Sequence, residues 1–513
     1  MTEAMISDPD ARVSRADLEA RARRGAAALA ALGVAPDDRV AVVMRNDVAH
    51  LEVMRAVARA GAVLVPPNWH AAAQEIADIC EDSGAETIIL HRDLAPALAP
   101  ALVGRTVICV TPGPALCAAY GIDKAARAGW DAPEWSDLVE RSEPVAGDEP
   151  MRPMMRYTSG STGKPKGIRR VPKPGADGPT DYYPILRRIG VEMFRFRSGG
   201  RFLTAAPLYH SAPSTLSAMA LAMEDNDVHV LPRFDPEGLL AAIEREKATH
   251  VYLVPTMMSR MLKLPEDVKA KYDLSSLEFC VSTGSPWPHD LKAAMIDWWG
   301  PVMWETYGAS EIGFMTMVSS EEALARPGTA GRIQLGGSIK IFDEDGGELG
   351  PGETGMIHVK MDAFGGFDYS NDPEGRRRAE IDGHISVGDM GRLDEDGFLF
   401  ITDRKKDMII SGGANIFPAE IEAVLIDAPF IRDVAVFGAP HEEFGEQIVA
   451  AIEPADGWRA DRDEVLAFLE GRLARMKFPR IIDFHDALPR EDSGKIFKPR
   501  LRAPYWEGAG RAI

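Results

Sequence analysis

Short apolar runs punctuate the chain at Arg39 to Met44, Ala62 to Pro66, Thr87 to His91, Val107 to Val110, Arg201 to Ala206, Val228 to Pro232, His250 to Pro255 and Leu277 to Ser282. Each is too brief for an ordinary helix, so each predicts a strand, and the near-continuous apolar character fits strands covered on both faces. Between several of them apolar positions recur at helical spacing. Ser14 followed by Asp17 resembles a capping box, the alanine-rich segment runs on to Leu32, and Gly33 can supply a left-handed stop. A helix of about five turns is predicted there. Asn46 is placed to cap a second helix ending near Gly61, giving β-α-β in outline. Strands alternating with helices predict a layered α/β architecture with largely parallel sheets.

The texture changes twice. From Gly331 to Met361 short β-type runs are broken by Gly-rich turns, which predicts a small antiparallel, β-barrel-like subdomain. After Asp403-Arg404-Lys405-Lys406-Asp407 a compact α/β unit begins, with helices expected at Pro418 to Leu425 and Asp463 to Met476 and strands at Val434 to Gly438 and Ile448 to Ile452. The expected organisation is a large N-terminal domain over 1–403 and a small C-terminal α/β domain over 404–513, joined at 404–406. A length of 513 residues, too great for one ordinary core, agrees with that division.

Charge narrows the partners. Acidic residues outnumber basic ones, 78 to 58, for a net charge of −20 without a long basic run, which argues against nucleic acid or anionic lipid. Cys80, Cys109, Cys117 and Cys280 show neither CxxC pairing nor metal spacing and read as reduced core thiols. The N-terminus carries acids and lacks an apolar signal region, and no run of about 18 apolar residues occurs. A soluble cytoplasmic protein without stable membrane insertion is expected, with a homodimer as the candidate assembly.

Candidate chemistry begins at Tyr157 to Ile168, YTSGSTGKPKGI. Its glycines let backbone N–H groups turn toward a ligand, and its hydroxyls and lysines add donors, a composition suited to a phosphate chain. It is not a Walker loop, because Pro165 follows Gly163-Lys164 and Thr158 stands where the first Gly would be. Further polar clusters follow the β-type runs: PLYHSAP from Pro207, STGSP from Ser282, WETYGASE from Trp304, VGDMG from Val387, DRKKDMIISGG from Asp403 and PREDSGK from Pro489. In this order, over nearly the whole chain, they resemble the adenylate-forming superfamily of acyl-CoA synthetases, peptide-synthetase adenylation domains and beetle luciferases.

That resemblance implies that ATP activates a carboxylic acid as its adenylate, with release of pyrophosphate, and that a thiol then displaces AMP. It implies ATP, Mg²⁺ and coenzyme A as cofactors. Thr158 matches the metal- and phosphate-contacting Thr, and Ser159, Gly160, Ser161, Thr162, Gly163 and Lys166 complete the loop. Glu311 matches the Mg²⁺-holding Glu, hard carboxylate oxygen being suitable for that ion. The turn Ser282, Thr283, Gly284, Ser285 and the stretch Glu305, Thr306, Tyr307, Gly308, Ala309, Ser310 correspond to the nucleotide side, with Tyr307 against adenine. Asp389 matches the acid that takes both ribose hydroxyls, although a bare Gly-Asp dipeptide would read as a turn. Arg404 resembles the ribose- or phosphate-contacting Arg before the hinge, which falls on Lys406. Ser411, Gly412 and Gly413 would line a pantetheine tunnel after rotation of the small domain. Lys495 matches the lysine that reaches the reacting carboxylate and α-phosphate.

The acid itself is read from the run SAPSTLSAMALAM, which follows His210, the match to the family's gate near the acyl site. No Asp stands there to hold an amine and no Arg to hold a second carboxylate. Small residues over Ser211 to Met219, with Thr256, Met257 and Met258, predict a roomy apolar pocket for fatty, aryl or steroid- and bile-acid-like acids. The segment from Ile168 to Gly190 departs from the pattern in lacking the usual Thr-His pair. The expected function is an AMP-forming carboxylic acid–CoA ligase. Loading of a carrier-protein thiol is one alternative, against which no carrier segment follows Lys495, and a non-catalytic nucleotide-binding protein is another, opposed by the presence of both Glu311 and Lys495.

Overall fold

The computed structural model describes residues 3–123, 130–158, 166–171, 180–285, 287–361, 363, 366–370, 372–405, 407–411, 414–441, 444–458, 461–490 and 496–507. The first helix is Arg15–Ala31, with the Ser14 side chain accepting from Asp17 N and Gly33 at φ 94° just beyond its end. Its neighbour, Val48–Arg59, is capped by Asp47, whose carboxylate accepts from His50 N, and not by Asn46. Asn46 is instead a buried tie: its amide donates to Ala206 O at 2.8 Å and Leu231 O at 3.2 Å and accepts from Leu208 N at 2.9 Å. Adjacent Asn and Asp both suit a cap, and only the three backbone groups arriving from another sheet separate their roles.

Four strands, in the order Val63–Val65, Arg39–Val43, Thr87–His91 and Thr106–Val110, form a parallel sheet, as the apolar runs predict. A larger sheet carries the parallel succession Asp227–Val230, Arg201–Thr204, His250–Leu253, Phe279–Ser282 and Met303–Glu305. The strands after it, among them Thr316–Ser319, Thr329–Ile333, Ser338–Phe342, Gly355–Lys360, His384–Leu393 and Leu399–Arg404, pair antiparallel. They continue the same hydrogen-bonded path as the parallel strands, so the Gly-rich segment extends the large sheet. A small antiparallel sheet, Gly366–Tyr369 with Lys166–Val171 with Arg156–Thr158, lies at the phosphate loop.

One core gathers residues from Ile6 to Leu399, and separate cores begin at Ile409 and Ala435 around the sheet built on Ile431–His441 and Gly445–Pro454. The helix Pro418–Leu425 forms as predicted, whereas the one expected over Asp463 to Met476 is Arg462–Leu469 followed by the 3₁₀ turn Arg475–Lys477. Gly471, at φ 74°, falls between these two pieces. Among the described residues no helix is long and apolar enough to cross a membrane.

Candidate active site

In open α/β sheets ligands collect beyond the carboxyl ends of the strands, because helix starts and turn amides converge there. The motifs that follow Arg201–Thr204, Phe279–Ser282 and Met303–Glu305 stand at such ends. They meet around one cleft of about 780 Å³. Its lining includes Lys166, His210, Thr283, Gly284, Ser285, Gly308, Ala309, Ser310, Glu311, Gly388 and Lys405.

Thr158 and Lys166 are antiparallel partners, so the two ends of the phosphate loop face each other across a strand pair. Ser159, Gly160, Ser161, Thr162 and Gly163 lie outside the described residues, as do Lys406, Gly412, Gly413 and Lys495. Lys166 holds Asp372 at 2.9 Å and sits 5.3 Å from the centre of the Tyr369 ring. Tyr157 donates to Asp82 at 2.5 Å, which anchors the strand that leads into the loop.

Glu311 is carried by a hairpin of two short strands, Gly308–Ala309 and Gly313–Phe314. Gly308 is required there by close approach, since a Cβ on it would lie 2.5 Å from Gly313 O. Tyr369 donates its hydroxyl to Glu311 Oε1 at 3.3 Å. Burial, together with the Glu311 charge, pushes the Tyr369 phenol up, so it remains a donor. From the segment that breaks the family pattern comes Arg170, which donates to Glu311 O at 2.5 Å and to Ser310 O at 3.0 Å. The guanidinium thereby braces the backbone that presents Glu311. No local signal in the sequence pointed to this contact, 141 residues apart along the chain.

Among the residues expected on the nucleotide side, Tyr307 donates its hydroxyl to the buried Asp389. Asp389 follows Gly388, which takes φ 88°, and pairs in register with Arg404, so the sheet itself fixes where the acid is presented. Thr306 N donates to Ser282 O at 3.0 Å, while the hydroxyl oxygens of both residues are buried with no hydrogen-bond partner among the described residues. The Glu305 carboxylate is taken by Lys292 in a buried pair, with burial the largest influence and pushing the Glu305 pKa upward against Lys292. Glu305 therefore enters the site through its strand position, beside Ser282. Ser411 ends the strand Ile409–Ser411, opposite Ala414.

Part of the run expected to form the acyl pocket lines this cleft. His210 is the residue before the helix Ser211–Leu221, and Ala212, Thr215, Ala218 and Met257 line the cleft. Met258 is wholly buried in the core instead, one position along a helix being enough to turn a side chain away. The absence of Arg from SAPSTLSAMALAM does not leave the cleft without cations. Arg156 and Arg170, from the neighbouring strands Arg156–Thr158 and Lys166–Val171, also line it. Side chains of one face come from whichever strands the sheet brings together, which a reading of one contiguous run does not capture.

A parallel sheet with phosphate, nucleotide and acyl walls around one cleft is the arrangement of adenylate-forming enzymes. Residues 2–364 match the family described as AMP-binding enzyme and residues 420–495 match the AMP-binding enzyme C-terminal domain, so the chain belongs to this family. It is 33% identical to the long-chain-fatty-acid–CoA ligase FadD13 of Mycobacterium tuberculosis, over 97% of this chain and 94% of that one. It is 35% identical to a feruloyl-CoA synthase of an Amycolatopsis species, over 95% and 93% of the two chains. Among solved structures, ATP-bound MatB from Rhodopseudomonas palustris superposes with a TM-score of 0.84 at 28% identity, covering 99% of this chain and 97% of that one.

Proposed function

We propose that the chain is an AMP-forming carboxylic acid–CoA ligase whose acids are predominantly apolar. The observation that carries this reading is the single cleft in which Lys166, Ser310 and Glu311 meet a wall of Met154, Ala206, Ala212, Ala218 and Met257. Relatives named for a long-chain fatty acid and for ferulate support an apolar chain or ring in that space.

In the first half-reaction the substrate carboxylate attacks the α-phosphorus of ATP, the acyl-adenylate forms and pyrophosphate leaves. In the second, the CoA thiol attacks the acyl carbon, AMP leaves and the thiol proton is released. The protein must meet the charge that grows on the leaving pyrophosphate, and fixed donors in a confined cleft are the effective means. The loop between Thr158 and Lys166 and the Lys166 ammonium serve the phosphates. Tyr307 and Asp389 hold the nucleoside, the carboxylate accepting from ribose hydroxyls.

Magnesium fits the residues present: Mg²⁺ usually takes one or two protein carboxylates and completes its shell with phosphate oxygens and water. Glu311, braced by Arg170 and Tyr369, is the carboxylate that would hold it, with Thr158 as second ligand, and the ion would neutralise phosphate charge. Lys495 is assigned to the reacting carboxylate and α-phosphate, and rotation of 404–513 about Lys406 would withdraw it to admit CoA past Ser411, Gly412 and Gly413.

The test is pyrophosphate release with ATP, Mg²⁺ and a panel of fatty and aryl acids, followed by addition of CoA or of a carrier protein bearing a phosphopantetheine thiol. Acid-dependent pyrophosphate release and acyl-CoA formation are expected. Release without thioester to CoA, but with loading of the carrier, would reassign the acceptor. No release with any acid would remove the ligase reading.

A further inference from the structure

Within its largely apolar wall the cleft contains a cation, Arg156, that the proposed chemistry does not use. Arg156 heads the strand Arg156–Thr158 and lines the cavity. Its Nη2 donates to Thr215 Oγ1 at 2.6 Å and lies 3.5 Å from Met154 Sδ, and its Nη1 is buried with no hydrogen-bond partner among the described residues. Among the described residues no carboxylate lies within ion-pair distance of it. The charged group that acts on it is Arg170, of the same sign, and burial with that neighbour pushes the Arg156 pKa down, to about 9. Holding a desolvated cation without a counter-charge is costly, and a methionine or leucine would fill the same wall without that cost. A group retained under such conditions, facing a cavity, is a candidate for ligand recognition.

Position decides which end of the substrate it meets. Thr215, its hydroxyl partner, is on the helix Ser211–Leu221, five residues beyond His210 at the helix start, the family's gate beside the reacting carboxyl. At 1.5 Å per residue Thr215 lies about 7 Å along the helix from His210, on the face where Ala212, Thr215 and Ala218 also line the cleft, so an acid whose carboxyl sits beside His210 would meet the guanidinium with its far end. The phosphate loop leaves from the other end of the same strand, after Thr158.

We propose that Arg156 selects acids that carry a second oxygen acceptor, a carboxylate or a ketone, at the end of the acyl group remote from the reacting carboxyl. The proposal rests on the ligase reading above. A guanidinium recognises either oxygen with directed N–H donors, and a carboxylate can take two of them at once. Desolvated donors left unpaired by an acid without that oxygen would penalise it, so selectivity arises from rejection of the plain hydrocarbon as well as from attraction. Arg156 is thus a specificity residue; it moves no proton in either half-reaction.

The probes are cyclohexanecarboxylate and its 4-oxo and 4-carboxy derivatives, compared by kcat/KM for pyrophosphate release and by calorimetric binding to wild type, Arg156→Met and Arg156→Lys. Wild type is expected to favour at least one oxygen-bearing acid over the parent by about tenfold or more. Arg156→Met should erase that preference, with the parent acid unchanged or improved and the KM for ATP unchanged, because the penalty on the plain hydrocarbon and the contact to the added oxygen are lost together. Whether the oxo or the carboxy compound is preferred tells which oxygen the site takes, and retention by Arg156→Lys of the carboxy preference alone would mark charge as the dominant contribution. Equal loss for all three acids, or a raised KM for ATP, would assign Arg156 to the phosphates or to folding and overturn the proposal, as would a wild type indifferent to the added oxygen. If no acid supports pyrophosphate release the ligase reading fails separately, and calorimetry then decides: tighter binding of an oxygen-bearing acid to wild type but not to Arg156→Met sustains the recognition site, and equal binding removes it.

Discussion

Replacing Arg170 with methionine tests whether the brace behind Glu311 matters to the first half-reaction. The guanidinium makes two hydrogen bonds to main-chain carbonyls, at 2.5 Å to Glu311 and 3.0 Å to Ser310. Bonds from a charged donor contribute about 1.5–3 kcal/mol each when removed. Ser310 and Glu311 are only partly buried, so water can take over some of the loss, and about 2–3 kcal/mol in total is a reasonable expectation. That corresponds to a fall of roughly 30- to 150-fold in kcat/KM for ATP. Arg170→Lys offers one compact ammonium in place of a planar fork and should recover about half of the free energy, leaving a deficit near tenfold. The assay is pyrophosphate release over ATP and Mg²⁺ titrations, with folding followed by thermal melting. A folded Arg170→Met protein within about threefold of wild type would refute the brace.

Other expectations follow from the same geometry. Asn46→Ala strands three buried backbone groups from two segments and should lower stability by about 2–4 kcal/mol, read as a lower urea midpoint at unchanged slope. Gly308→Ala would place a Cβ 2.5 Å from Gly313 O, so pyrophosphate release should fall sharply while the global melt changes little, the hairpin being short and partly exposed. Lys495→Ala should nearly abolish adenylate formation and leave thioester synthesis from a supplied acyl-adenylate much less affected; equal loss in both would displace Lys495 from its assigned role.

Much of the fold was legible because its determinants are local. Apolar runs such as Thr87 to His91 coincide with buried strands, and Ser14 and Gly33 bound their helix where cap and left-handed stop were expected. The motif set likewise placed Ser310, Glu311, Gly284 and Lys166 around one cleft, since each lies in a short segment bound to the end of a strand. Tertiary structure alone decided matters between distant segments. Asn46 and Asp47 are equivalent as caps until Ala206, Leu208 and Leu231 arrive to engage Asn46. Lys292 claims Glu305, and Arg170 reaches Ser310 and Glu311. Arg156 lines the cleft although the run expected to form its acyl pocket contains no cation. A sequence displays propensity and spacing directly, but which buried polar groups meet depends on how sheets cross and pack, and the cost of leaving such groups unpaired is what settles their partners.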